Sequence, residues 1–341
     1  TEENKVEVDK KDSNTNQDAN IEQKPEEVQV ASEEPIESNL AVHFIDVGQA
    51  DAALVQCDGH YMLIDGGNKD DSRKIYSLIR NNEIEALDLI IASHAHEDHI
   101  GSIPYCMQQV SCPVHGTAMT NGLIKLKLEE HKLADKVKLM THKPGDVVKC
   151  GCFQVEFIHV NHSIADACAL AIHTPVGTVI FTGDFKIDPT ANDGMMDLAR
   201  LGELGNQGVL ALLADSTNVE RSGYTPSENM VAEGLDRQFR NCDQRIIVTT
   251  FASNMHRIQS ILNTAQRYGR KVAVTGRSME NMLKVAQELG YLKVKPGTIV
   301  DLAATKSLPK NKVAIVSTGS QGENMSALYR MAFNTHKQVD I

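Results

Sequence analysis

The stretch Leu87-Asp88-Leu89-Ile90-Ile91-Ala92-Ser93-His94-Ala95-His96-Glu97-Asp98-His99 sets both the fold and the chemistry of this chain. Residues 87–92 form an apolar run of strand length, and a cluster of donors follows at its C-terminal end. His94, His96, Asp98 and His99 offer four metal-binding side chains within six residues. A zinc ion takes such donors at about 2.0–2.3 Å and, where it is catalytic, keeps a position open for water. Alternate residues of the run can face one ion while their neighbours reach a second, as in hydrolases whose two metals sit about 3.5–4 Å apart. One histidine by itself would read as a core or solvated imidazole. Four donors in HxHxDH order read as a dinuclear metal site.

Such a site needs donors from elsewhere in the chain, one to complete the first ion and a carboxylate to bridge the pair. His162 in Asn161-His162-Ser163 and Asp184 in Thr182-Gly183-Asp184 each end a predicted strand and are the expected pair. Asp65 ends a strand over 61–64 and precedes two glycines, which places it to orient a ligand or the bridging water from behind. His159 and His173 are read as core or surface histidines.

Working outward, the upstream side shows short β-rich runs over 41–47, 52–56 and 61–64, with Asp58-Gly59 as a turn and Asp65-Gly66-Gly67 as an exit. A helix is expected over about 72–82. Downstream, helices are expected over about 97–109 and 120–133, and strands over 153–159, 168–173 and 178–182. From about Gly223 the pattern becomes regular alternation: strand 246–251, helix 255–268, strand 271–275, helix 279–289, strand 313–317. That pattern reads as a parallel α/β domain. The expected organisation is therefore a tail over 1–39, a first domain over 40–222 and a second over 223–341. In the second domain, loops with Ser253 and Asn254, Arg277 and Ser278, and Gly319, Ser320 and Gln321 each follow a parallel strand. Backbone N–H groups, hydroxyls and an arginine fork can hold phosphates there.

The chain has 341 residues, 41% of them hydrophobic and 23% charged, the composition of a globular protein. Its net charge is -11, but residues 1–39 hold 12 Asp and Glu against 4 Lys. That tail is too polar to bury a core and reads as disordered. The remainder is nearly neutral, so a nucleic-acid partner must be recognised by local sites rather than by an overall basic field. Seven cysteines without a CxxC pair or framework read as reduced thiols of a cytoplasmic protein. No apolar run of membrane-spanning length is present. The chain begins at Thr1, which leaves room for an upstream export or lipid-anchor signal. The acidic tail suits that exported alternative.

The set Asp65, His94-x-His96-x-Asp98-His99, His162 and Asp184 resembles the motif series of the metallo-β-lactamase superfamily, which implies an αββα sandwich. From about residue 103 to 341 the chain looks like the ribonuclease J family of its β-CASP branch, which implies a partial β-CASP domain. The motifs are His162-Ser163-Ile164-Ala165-Asp166-Ala167, Thr182-Gly183-Asp184-Phe185-Lys186, Asp215-Ser216-Thr217-Asn218, Thr250-Phe251-Ala252-Ser253-Asn254, Thr275-Gly276-Arg277-Ser278-Met279 and Ser317-Thr318-Gly319-Ser320-Gln321-Gly322-Glu323. Residues 41–68 look more like ComEC-type competence proteins and related secreted metallo-hydrolases.

The resemblance implies a metal-dependent ribonuclease acting on single-stranded RNA, as an endonuclease or from the 5′ end. His94, His96 and His162 are expected to hold one Zn²⁺, Asp98 and His99 the other, with Asp184 bridging; Mn²⁺ would suit the same donors. Asp98, Asp184 and Asp215 are the expected catalytic carboxylates, Asp215 moving a proton or fixing a histidine. In the family the chain returns to the first domain and adds a histidine to the second metal, so that site is expected to be weak here and the chain to be cut short within the β-CASP domain. His336 precedes that return and is not taken as a ligand. A monomer is expected. The rival readings are a ComEC-like DNA hydrolase and an inactive RNA-binding remnant.

Overall fold

A computed structural model describes residues 39–191 and 193–339. All but Asn39 of the expected acidic tail lies outside the described residues. Three sheets organise the rest. The first contains β1 (Leu40–Phe44), β2 (Ala53–Cys57), β3 (His60–Ile64), β4 (Leu89–Ile91), β5 (Val114–Thr117) and β6 (Leu139–His142), paired in that order. Its first three strands form an antiparallel meander, and β3 to β6 run parallel. The helices α1 (Ser72–Asn81), α2 (Glu97–Ile100), α3 (Ile103–Cys106) and α4 (Ala118–Glu130) fall within this part of the chain.

The second sheet is ordered β11-β10-β9-β8-β7, from β7 (Val147–Cys150), β8 (Phe153–His159), β9 (Cys168–His173), β10 (Thr178–Phe181) and β11 (Ala211–Leu213). Strands β7 to β10 are antiparallel, and β11 joins β10 in parallel after the crossover helix α5 (Leu198–Gln207). Side-chain alternation makes these two sheets a sandwich. Val55, Met62, Ile64, Leu89 and Ile91 share one buried core with Phe153, Val155, Phe157, Leu170, Ile172 and Phe181. Their neighbours Leu54, Leu63, Ile90, Ala169, Ala171 and Ile180 belong instead to the core shared with the helices. One apolar layer between two sheets and further layers beneath helices is the αββα arrangement. Each fully buried phenylalanine of the inner layer contributes about 1.5–3 kcal/mol relative to exposure.

The third sheet is wholly parallel, ordered β12-β14-β13, from β12 (Ile246–Thr249), β13 (Lys271–Thr275) and β14 (Val313–Ser317). Helices α6 (Glu228–Asn241), α7 (Met255–Arg267), α8 (Arg277–Glu288) and α9 (Ala327–Ala332) accompany it. The parallel α/β alternation expected after residue 223 is present.

Two elements of the first sheet and its helices differ from the sequence reading. The helix expected over 97–109 is two short helices, because Gly101 packs against the chain at Asn68 and Lys69, where a Cβ would approach Lys69 N to 2.7 Å, and Pro104 opens α3. The strand expected over 41–47 ends at Phe44. Strands β5, β6, β7 and β11 and helices α5, α6 and α9 were not anticipated; most are too short to show a period.

The third sheet is fastened to the sandwich beside the His-rich run. Helices α4 and α8 approach so closely that a Cβ on Gly122 would lie 2.6 Å from Val285. Ser163 accepts a hydrogen bond from the Met255 N–H, and the Tyr291 hydroxyl donates to Asp166.

Candidate metal centre

Most of the donors sit where strands end, while His96 caps α2, His99 lies within it and Asp51 precedes β2. β4 releases Ser93 and His94, β3 releases Asp65, the β8–β9 connection carries His162, and β10 releases Thr182, Gly183 and Asp184. An isolated bridge between Asn161 and Lys186, with the Lys186 N–H donating to the Asn161 carbonyl at 2.8 Å, ties the His162 and Asp184 segments together.

Two groups of donors result, each with ligand atoms within 4.8 Å of one another: His94, His96, His162 and Asp184, and Asp51, His99 and Asp184. Asp184 stands between them. Its Oδ2 lies 3.8 Å from His94 Nε2 and 3.5 Å from His162 Nε2, while its Oδ1 lies 3.6 Å from His99 Nε2. His94 Nε2 and His162 Nε2 both approach His96 Nδ1, at 3.1 and 3.0 Å.

Three ring nitrogens and a carboxylate converging on one point suit a cation. A tetrahedral zinc with donors at about 2.0–2.1 Å places those donors about 3.4 Å apart, close to the spacing of 3.0–3.8 Å found here. The proton states agree. Burial holds His94 well below the ordinary histidine pKa, and the charges of His99, His96 and His162 add to the effect. Burial, then His99, lowers His96 to about 4, and burial, then His96, lowers His162 to about 3. Neutral imidazole is the form that binds a metal.

The other group is different. Burial opposes the His99 cation, but Asp65, 2.7 Å from Nδ1, and Asp184 outweigh it and hold the pKa well above the ordinary value. Burial raises Asp51 to about 6, with His99 only partly opposing. Burial also works against the Asp184 carboxylate, yet its hydrogen bond to His99 and the surrounding histidines bring its pKa below the ordinary range.

Asp65 is fully buried at φ 55°. It accepts from the Ser93 N–H and hydroxyl and from His99, each at 2.7 Å. Asp98 is half-buried beside the site and belongs to neither donor group; it lines both neighbouring cavities. Asp51 was not picked out as a donor from the sequence. Its N–H donates to the Asp98 carbonyl and its own carbonyl accepts from Gly67, so the turn after β3 and the His-rich run fix its place. Nothing short-range marks it; the only hint was a carboxylate just ahead of β2. Asp215 Oδ1 accepts from the Thr217 N–H and hydroxyl, and its own N–H donates to Thr182 Oγ1. With Asp51, His99 and Asp184 it lines a cavity of about 380 Å³.

A larger cleft of about 880 Å³ runs from His96, Asp98 and Ser163 to Ser253, Arg277, Ser278, Gly319 and Gln321 in the loops of the third sheet. Asn254 is buried and caps α7, and Ser320 is exposed outside the cleft lining. His336 lies 3.3 Å from the Thr275 hydroxyl, outside both donor groups.

Known proteins bear on this arrangement. The metallo-beta-lactamase superfamily model matches residues 45–216, and the model described as Ribonuclease J, beta-CASP domain matches residues 243–341. Ribonuclease J of Helicobacter pylori (strain J99 / ATCC 700824) is 45% identical over 256 residues, 74% of this chain and 37% of that protein. Ribonuclease J of Synechocystis sp. is 42% identical over 300 residues, 84% of this chain and 47% of that one. Ribonuclease J2 of Bacillus subtilis (strain 168) is 36% identical over 297 residues, 87% of this chain and 52% of that one. The last match spans 297 of the 341 residues and so extends into residues 46–102. The chain spans between 37% and 52% of the length of these relatives. A protein of unknown function from Enterococcus faecalis V583 shares the fold, with a TM-score of 0.59 at 16% identity over 86% of this chain and 84% of that one. With one family model over half of its length and the second over its parallel sheet, the chain belongs to the metallo-β-lactamase superfamily, in the branch that carries the ribonuclease J β-CASP domain.

Proposed function

We propose that this chain hydrolyses phosphodiester bonds of single-stranded RNA at a dinuclear metal site. The observation that carries the reading is the 880 Å³ cleft, which begins at His96 of the first donor group and whose far wall is built by the loops of the β-CASP sheet. The likeness to ribonuclease J proteins supports the same substrate class.

His94, His96, His162 and Asp184 would hold one ion, and Asp51, His99 and Asp184 the other. Two bound Zn²⁺, or Mn²⁺, would supply a water of lowered pKa and neutralise charge developing at phosphorus. The chain's own residues do the rest. Asp98, half-buried and lining both cavities, would take a proton from the attacking water. Asp215 lines the 380 Å³ cavity and steadies the Asp184 segment through Thr182. Arg277, Ser253, Ser278 and the Gly319–Gln321 loop would grip phosphates along the strand, Asn254 and Ser320 supporting them from outside the cleft wall.

Among the described residues no helix is long and apolar enough to cross a membrane. All seven cysteines are free thiols, which suits a reducing compartment, and we place the chain in the cytoplasm as a monomer.

The test is cleavage of a 5′-monophosphorylated single-stranded RNA beside the matching DNA, with Zn²⁺ or Mn²⁺ and with His96→Ala as control. RNA cleavage lost in the control is the expected result. DNA cut in preference to RNA would favour the secreted-hydrolase reading of residues 41–68. Folded, metal-loaded protein that cuts neither would reduce the chain to a metal-binding remnant.

A further inference from the structure

Ser93 lies one residue before the first histidine and is fully buried. Its backbone N–H donates to Asp65 Oδ1 at 2.7 Å, and its Oγ lies 2.7 Å from Asp65 Oδ2 and 3.0 Å from His94 Nδ1. A carboxylate only accepts, so the single hydroxyl hydrogen of Ser93 is committed to Asp65. Toward His94 the same oxygen can then only accept. His94 must carry its proton on Nδ1, and its Nε2 lone pair is left facing His96, His162 and Asp184.

We propose that Ser93 is a positioning residue that carries the influence of Asp65 to His94, so that one buried carboxylate fixes a histidine in each donor group: His99 directly and His94 through the serine hydroxyl. The inference rests on the metal-binding reading of these donors. Asp65 reaches His99 Nδ1 at 2.7 Å, which aims His99 Nε2 at Asp184 Oδ1. Both histidines thus present the same nitrogen to their groups, and the two groups answer to one carboxylate. Gly183 lies beside Ser93, where any Cβ would meet the serine side chain at 3.1 Å. Ser163 offers His96 a similar contact, Oγ to Nε2 at 3.2 Å. Its hydroxyl has no second partner among the described residues, so the hydrogen there is not committed in the same way.

Long-range ¹H–¹⁵N correlation spectra of the metal-free full chain read the tautomer directly. The expected result is His94 protonated on Nδ1; a His94 protonated on Nε2 would overturn the relay. The second measurement is Zn²⁺ affinity by competition with a chelator, with Co²⁺ absorption to report ligand geometry. Removal of an outer hydrogen-bond partner costs a metal site about 10–100-fold in affinity. Ser93→Ala is expected to lose that much at the three-histidine group, and Ser93→Thr, which keeps a hydroxyl, to recover most of it. Ser93→Ala with parental affinity and an unchanged Co²⁺ spectrum would also overturn the relay. Should Ser93→Ala fail to fold, the tautomer measurement on the parent chain still decides. Parent chain that binds no Zn²⁺ at all would sink the metal reading itself, a different outcome from Zn²⁺ bound beside a wrongly protonated His94.

Discussion

The two donor groups share Asp184 but hold their protons in opposite ways. His94, His96 and His162 are buried among one another, and all three are pushed toward the neutral form. His99 is buried as deeply as His94, yet it is pushed toward the cation. Burial and the surrounding histidines act together on His94, whereas at His99 the Asp65 carboxylate on Nδ1 and Asp184 outweigh burial. The three-histidine group therefore stands ready for a cation without giving up protons. The other group must release one, and must also hold Asp51, whose side chain is 45% exposed. The same residue type becomes a ready or a reluctant ligand according to what lies behind it.

The largest expected break of this contrast comes from removing Asp51. A direct donor should matter more than an outer partner, so Asp51→Asn is expected to weaken the second ion by more than about 100-fold. The first ion should stay bound, and stoichiometry by elemental analysis should fall from two metals to one. Asp98→Asn is the counter-variant. Loss of the second ion there, and not in Asp51→Asn, would restore the donor set expected from the sequence alone.

Acidity sharpens the same contrast with a smaller effect. Histidines depressed to about 4 and 3 have no protons to lose at neutral pH. Zn²⁺ affinity of the three-histidine group should thus stay flat from about pH 5.5 to 8. His99, with its raised pKa, binds a proton that the metal must displace, and Asp51, raised to about 6, holds another at the acid end, so affinity of the second ion should climb with pH, most steeply below about pH 6. Titration of both ions against a chelator at several pH values checks this; parallel slopes would mean that the two groups do not differ.

The three-histidine group was legible because its members sit where short-range pattern speaks: a donor run at the end of an apolar strand, and His162 and Asp184 at the ends of two more. The αββα and parallel α/β architecture followed from the same strand periods and motifs. Asp51 was not legible, since its role depends on the Asp98 carbonyl and the Gly67 N–H, contacts set by tertiary folding across the turn after β3. Nor were β11 or the break between α2 and α3. A three-residue strand carries no period, and Gly101 ends its helix because of what it packs against. Asn254 follows β12, a position that suits a groove residue and a helix cap alike, and a loop residue's sequence does not tell the two apart.

The loops of the parallel sheet hold the finest test of the comparison, a residue free to bind against one already engaged. Arg277 is exposed in the cleft lining and has no ion-pair partner among the described residues. Arg277→Gln should raise KM for RNA about tenfold, the worth of one charge-assisted hydrogen bond, with kcat unchanged. Asn254 is buried, and its side-chain oxygen accepts from the Arg257 N–H at 3.0 Å as the cap of α7. Asn254→Ala should therefore cost about 1 kcal/mol of stability, the ordinary worth of such a cap, seen as a lower Tm. KM should not move. A rise in KM with Tm unchanged would mean that Asn254 reaches the RNA and that its cap is incidental, because an oxygen that accepts from the Arg257 N–H is engaged within the protein.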